Sequence, residues 1–174
     1  MPHSDDRFSW DLIGNIPLGR PNLGAQSRIE TYRLLQFSLR QVLAERYGVA
    51  AADAVFREAG RLAGRAFAAH LMGPIESLAE YVRKLQATFL EYRIGVLRIE
   101  QADLAAGRFV LTVEEDMDCS GLPELEIEIC KYDEGFIAGV LEHATGRAYR
   151  VTEVDCWCTG ERTCRFVAEA EEPA

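Results

Sequence analysis

The stretch EVDCWCTGERTCRFV, residues 153–167, places three of the chain's five cysteines beside a glutamate and an aspartate. Thiolates and a carboxylate are side chains that a tetrahedral zinc shell takes, and a closed set of four is structural rather than catalytic. Gly160 sets a turn between Cys158 and Cys164, so the two arms of a hairpin can bring their sulfurs together. Regular alternation puts Cys156 and Cys158 on one strand face and Glu153, three residues before Cys156, on the other. A bulge or a strand end is needed to turn Glu153 toward the cysteines. Cys130 stands at the predicted start of a helix, where the helix N-terminus favours a thiolate. C-x-C on a strand is not the C-x-x-C of a thioredoxin-like redox pair, and an odd total of five cysteines argues against a simple disulfide set. No C-x-x-C knuckle is present either. Residue types alone therefore leave a metal site and a set of small buried hydrophobes level. Cys119, in the loop MDCSGLPE, reads as an isolated thiol.

These residues need elements to position them. At 174 residues and 48% apolar, the chain suits one domain with a core that needs no disulfides. Residues 1–27, with GNIPLGRPNLGAQ, read as an irregular arm. Ile29, Tyr32, Leu35, Leu39, Val42 and Leu43 recur at helical spacing up to Gly48, and Val55, Ala59, Leu62 and Phe67 mark a second helix from about 51 to 70. Gly60 and Gly64 in that helix permit close approach of another helix, either as core packing, the favoured reading, or as a dimer seam. MGPIES breaks the pattern, and Ser77 caps a third helix with Glu80 completing a capping box. GVLRIEQ and RFVLTVEED then alternate as a hairpin. CKYDEGFIAGVLEHATG returns to helical spacing and stops at Gly146, and RAYRVTEVDCWC and TCRFVAEAE form a second hairpin. The fold expected is α+β: N-terminal helices packed on an antiparallel sheet, with a further helix between two hairpins, over residues 28–170. Residues 171–174 read as a frayed tail.

The net charge of −9 disfavours nucleic acid and anionic membrane as partners. No secretory signal and no apolar run long enough to span a bilayer is visible, so the expected compartment is the cytoplasm.

The segment CKYDEGFIAGVLEHATGRAYRVTEVDCWCTGERTCRFV, residues 130–167, resembles the signature of the 4-vinyl-reductase-type domain. Its marks are a Cys, a GF.aG helix, a strand bearing E-x-x-C, a Gly turn and C-x-F. Such domains occur in bacteriochlorophyll-pathway proteins, archaeal stand-alone proteins and the sensors of phenol- and toluene-responsive activators. The resemblance implies a fold shared with heme nitric-oxide-binding domains and with TRAPP vesicle-transport subunits. It also implies a zinc ion held by three cysteines and one glutamate, here Cys130, Glu153, Cys156 and Cys164, at spacings of 23, 3 and 8 residues. Cys158 is outside that pattern.

A small aromatic molecule is implied between the helix and the sheet, which makes Phe109, Phe136, Val140, Tyr149, Val151 and Trp157 the candidate lining. The phenol sensors are described as using a histidine and a tryptophan for the hydroxyl, and GRFVLTVEEDMDCSG has neither. Phenol itself is therefore not expected. His3, His70 and His143 do not match a heme-binding pattern, so heme is not expected. The leading expectation is a stand-alone sensor domain with structural zinc. It would bind a small hydrophobic molecule, form a homodimer and signal through an unidentified partner protein. The alternatives are an accessory or carrier in tetrapyrrole vinyl reduction and a dimeric interaction scaffold. Catalysis is the weaker expectation, because no G-x-G-x-x-G dinucleotide loop is present.

Overall fold

In a computed structural model of the chain, residues 8–73 and 77–171 are described. The expectations for His3, for the centre of the MGPIES break and for the tail from 172 onward lie outside the described residues. A 3-10 turn at Trp10–Ile13 and a short helix α1 (Ile16–Gly19) lead into three long helices, α2 (Ile29–Tyr47), α3 (Val49–Leu71) and α4 (Leu78–Glu91). Gly48 turns the chain between α2 and α3 at φ 89, a left-handed conformation that glycine adopts without strain. Ser77 caps α4, its Oγ accepting the Glu80 N–H at 3.2 Å, as its place in the sequence predicts.

Two helix faces differ from the sequence reading. In α2, Leu35, Leu39 and Val42 are exposed, and the inward side carries Tyr32, Arg33 and Gln36. That polar side is inward because Tyr32 Oη and Gln36 Nε2 donate to the buried Asp118, at 2.7 and 2.6 Å. In α3, Val55 and Leu62 are exposed and the buried line is Ala52, Phe56, Gly60, Gly64, Phe67 and Ala68. Its glycines face helix α5 (Lys131–Thr145), which returns the contact with Gly135 and Gly139. A Cβ on Gly60 would lie 2.0 Å from Tyr132 O, and one on Gly135 would lie 1.9 Å from Arg57 O. Gly60 and Gly64 thus serve packing within the chain, and the dimer seam at these residues is set aside.

Flanking this seam, Arg57 pairs with Glu134, while Arg61 and Arg65 both pair with Glu142. Burial opposes ionisation of Glu142, but hydrogen bonds from Arg61 and Arg65 outweigh it and hold the carboxyl below its ordinary range.

The sheet is antiparallel with strands β1 (Val96–Asp103), β2 (Arg108–Glu114), β3 (Tyr149–Asp155) and β4 (Cys164–Ala170) in the order β1-β2-β4-β3. The α+β arrangement of helices on an antiparallel sheet is as the periodicity predicts. In β2, Phe109 to Val113 are all buried, whereas β3 alternates between core and solvent. Phe166 in β4 is fully buried, and a burial of that kind contributes roughly 1.5–3 kcal/mol. No helix among the described residues is long and apolar enough to cross a membrane.

Candidate functional site

The loop between β2 and α5, the start of α5 and the β3–β4 connection meet at one buried point. Cys119 comes from the loop and Cys130 is the residue before α5. β3 ends at Asp155, so Cys156 and Cys158 lie in a 3-10 turn and not on a strand, and Cys164 opens β4. The β3–β4 register slips between Glu153 and Asp155, supplying the irregularity that Glu153 requires. Thr159 fixes the turn, its Oγ1 accepting Cys156 N–H at 3.1 Å and donating to Cys156 O at 2.9 Å. The loop clasps that turn. Trp157 Nε1 donates to Leu122 O at 2.9 Å, and the Cys158 carbonyl accepts the N–H groups of Leu125 and Glu126.

Cys119, Cys130, Cys156 and Cys164 are free thiols, buried to 1% exposure or less, with all four sulfurs within 4.8 Å of one another. The reading of Cys119 as isolated is corrected: its sulfur lies 3.1 Å from that of Cys164. Cys130 lies 4.0 Å from Cys156 and 3.9 Å from Cys164. Zinc–sulfur bonds of about 2.3 Å in a tetrahedron place sulfurs about 3.8 Å apart, so the set fits a thiolate-bound zinc ion.

The electrostatics agree with that fit. Hydrogen bonds from the thiols of Cys119, Cys130 and Cys164 pull the Cys156 thiol far below its ordinary range, while contact with Cys119 pushes Cys130 and Cys164 up. Left to themselves the sulfurs thus concentrate one negative charge on Cys156, and a dication at their common point lets the others ionise. Cys158 stands apart, its thiol pushed up to about 12 by burial.

Glu153 sits beside the sulfur set. Its Oε2 accepts Cys130 N–H at 3.1 Å, and its own N–H donates to Glu134 Oε1 at 3.0 Å. Burial, then the charge on Cys156, push its carboxyl up to about 9. Behind the sulfurs lie three more buried carboxyls, Asp116, Asp118 and Asp133. Burial and the neighbouring Asp118 raise Asp116 to about 8. Sequence reasoning missed this group, since MDCSGLPE carries no period and only Cys119 and the flanking acids marked it.

The candidate ligand residues do not converge. Phe109 and Val140 line a small cavity of about 40 Å³ between α4, α5 and the sheet, with Tyr81, Leu85, Phe89 and Leu97. Its lining presents no polar surface; the Tyr81 hydroxyl is turned to Val140 O at 3.2 Å. Phe136 packs instead among Phe67 and Phe89, with ring centroids 5.1 and 6.1 Å away. Tyr149 and Val151 border an open polar cleft with Arg57, Arg61 and Lys131, and Trp157 lies in the clasped turn under Arg162. His70 stacks on Trp10 with centroids 4.4 Å apart, and His143 is exposed on α5.

Residues 109–170, which hold all five cysteines, match the 4-vinyl-reductase-type domain family. Two uncharacterized proteins of Methanocaldococcus jannaschii are similar. MJ0150 is 27% identical over 93% of this chain and 86% of its own length. MJ1642 is 29% identical over 48% of this chain, and the match spans half of that relative's length.

Three solved structures share the fold. The phenol-responsive sensory domain of the transcription activator PoxR, solved with phenol, has a TM-score of 0.62 at 16% identity, over 85% of this chain and 78% of that one. A trafficking protein particle complex subunit 3 from Naegleria fowleri, covalently bound to palmitic acid, has a TM-score of 0.63 at 16% identity, over 83% and 95%. An H-NOX protein from S. oneidensis has a TM-score of 0.55 at 16% identity, over 86% and 79%. Cysteine pattern and topology agree: residues 109–170 are a 4-vinyl-reductase-type domain, set in the fold of the PoxR sensory domain, the H-NOX protein and the trafficking subunit.

Proposed function

We propose that the chain is a small-molecule-binding sensor domain. In this reading an apolar ligand enters between α4, α5 and the sheet, and one structural zinc ion is held by Cys119, Cys130, Cys156 and Cys164. The observation that carries the reading is the carbon-lined cavity at Phe109 and Val140. Phenol in the PoxR sensory domain and palmitic acid on the trafficking subunit support it, because both are predominantly apolar molecules carried by the same fold. The lining sets the ligand class. With no hydrogen-bonding group to meet a hydroxyl, burying one there costs more than burying hydrocarbon. An aromatic or aliphatic hydrocarbon fits better than phenol.

At about 40 Å³ the cavity is far below the roughly 300–1,000 Å³ of ligand sites, so binding must wedge α4 away from α5 and the sheet. That displacement is the signal. Glu153 takes a supporting role beside the zinc, holding Cys130 N–H, instead of the ligand role that the family resemblance implies.

Calorimetric titration with toluene, naphthalene and decanoate tests the ligand reading, together with native mass spectrometry of protein from cell extract. Saturable binding of at least one probe with a negative heat-capacity change is expected. Val140→Trp, which fills the cavity, should weaken that binding at least tenfold while the circular-dichroism spectrum stays folded. The absence of any binding and of any retained ligand would sink the reading.

Transmission to a second copy or to a partner protein would use α2, whose Leu34, Leu35, Leu39 and Val42 are exposed. Replacing Leu35 and Leu39 together with glutamate is expected to convert a dimer mass to a monomer mass in light scattering. A monomeric wild-type chain would refute self-association.

A further inference from the structure

The carboxyls behind the sulfurs have more negative charge than their neighbours can meet. Asp116, Cys130 and Asp133 each offer a ligand atom within 4.8 Å of the others, and all three residues are at most 8% exposed. Neutral donors account for Asp118 and for part of Asp116. Asp118 receives Tyr32 Oη and Gln36 Nε2, and Asp116 Oδ1 receives Asp118 N–H at 2.7 Å. The nearby guanidinium of Arg33 donates to main-chain oxygens of Met117 and Ser120, at 2.8 and 2.9 Å. Asp133 Oδ2 is enclosed and has no hydrogen-bond partner among the described residues. An enclosed carboxylate oxygen without a donor costs free energy unless a cation or a proton meets it.

From this geometry we infer that Asp116, Cys130 and Asp133 hold a second divalent cation, joined to the thiol-bound ion through the Cys130 sulfur. Two oxygens and one sulfur form a borderline donor set suited to zinc, with a water to complete four-coordination. Cys130 is common to both groups, so it is the bridging ligand. Asp118, fixed by Tyr32 and Gln36, positions Asp116 through its N–H. The loop after β2 then has two fastenings of different chemistry, one soft and one mixed.

The inference rests on the four-cysteine reading of the neighbouring site, and counting metal separates the two. The full chain is stripped with a chelator, reloaded with zinc alone and measured by native mass spectrometry and elemental analysis. Two ions per chain are expected, falling to one when Asp116 and Asp133 are both replaced by Asn. One ion per chain in wild type, unchanged by those substitutions, would overturn the second site and leave the thiol site standing; it would mean that the two aspartates share a proton. No ion at all would overturn both sites. If the double variant fails to fold, X-ray absorption of zinc-loaded wild type decides. A mixed sulfur–oxygen shell with a zinc–zinc vector supports the bridged pair, and a shell of four sulfurs alone overturns it.

Discussion

Replacing Cys164 with serine is expected to remove the metal and lower the melting temperature by about 10 °C. Cys164 opens β4, the strand paired with both β2 and β3, and its sulfur lies within 3.9 Å of those of Cys119 and Cys130. Serine offers a harder, shorter ligand that zinc thiolate sites do not use. Losing one member of a fully buried charged cluster costs about 3–5 kcal/mol, and about 2–4 °C accompanies each kcal/mol in a chain of this size. Elemental analysis and scanning calorimetry check it, with chelator-treated wild type as the reference that should melt near the variant. Cys158→Ser is the control: its thiol is buried apart from the four-sulfur group, so metal content should hold. A Cys164→Ser chain with full metal content would contradict the four-cysteine set.

Gly135→Ala is expected to destabilise by about 3 kcal/mol or more, at the upper end of overpacking. The added methyl would meet Arg57 O at 1.9 Å and Arg61 N at 2.8 Å, and both are main-chain atoms that cannot rotate aside. Relief requires α3 and α5 to separate along their length, which also disturbs Gly60, Gly64 and Gly139 and the ion pairs on either side. Chemical denaturation measures the loss. Gly19→Ala, with open space at its Cβ and no positive φ, should leave the midpoint unchanged. A Gly135→Ala midpoint near wild type would show that the two helices sit farther apart.

What was legible in the sequence follows physical range. Helices and strands announce themselves through periods of 3.6 and 2, so the element order and the α+β class were readable from Arg28 onward. The closing glycines Gly48, Gly146 and Gly160 and the Ser77 cap are equally local signals. The inward face of α2 was not readable. Its leucines suggest a core face, yet Tyr32 and Gln36 are held inward by Asp118, more than 80 residues away. Cys119 was missed for the same reason: its partner Cys164 is 45 residues on, and the loop between has no repeat to anchor a reading. The ligand lining was half legible, because alternation assigns Phe109 and Tyr149 to the interior without saying which side of the sheet holds the space.

The strand order carries a consequence for synthesis. β4 is the last of the four strands to be translated, and it lies between β2 and β3, neither of which pairs with the other. A nascent chain that has emerged as far as Thr163 has a β1–β2 hairpin with one open edge and a β3 with no partner strand. Open edges of this kind invite pairing with other chains. Cys164 arrives as the first residue of the missing strand, so the sheet and the four-sulfur set become complete with the same few residues. Folding of the cysteine-bearing region is therefore set to finish in one late step, and a ribosome paused before Cys164 presents the cell with its most aggregation-prone form.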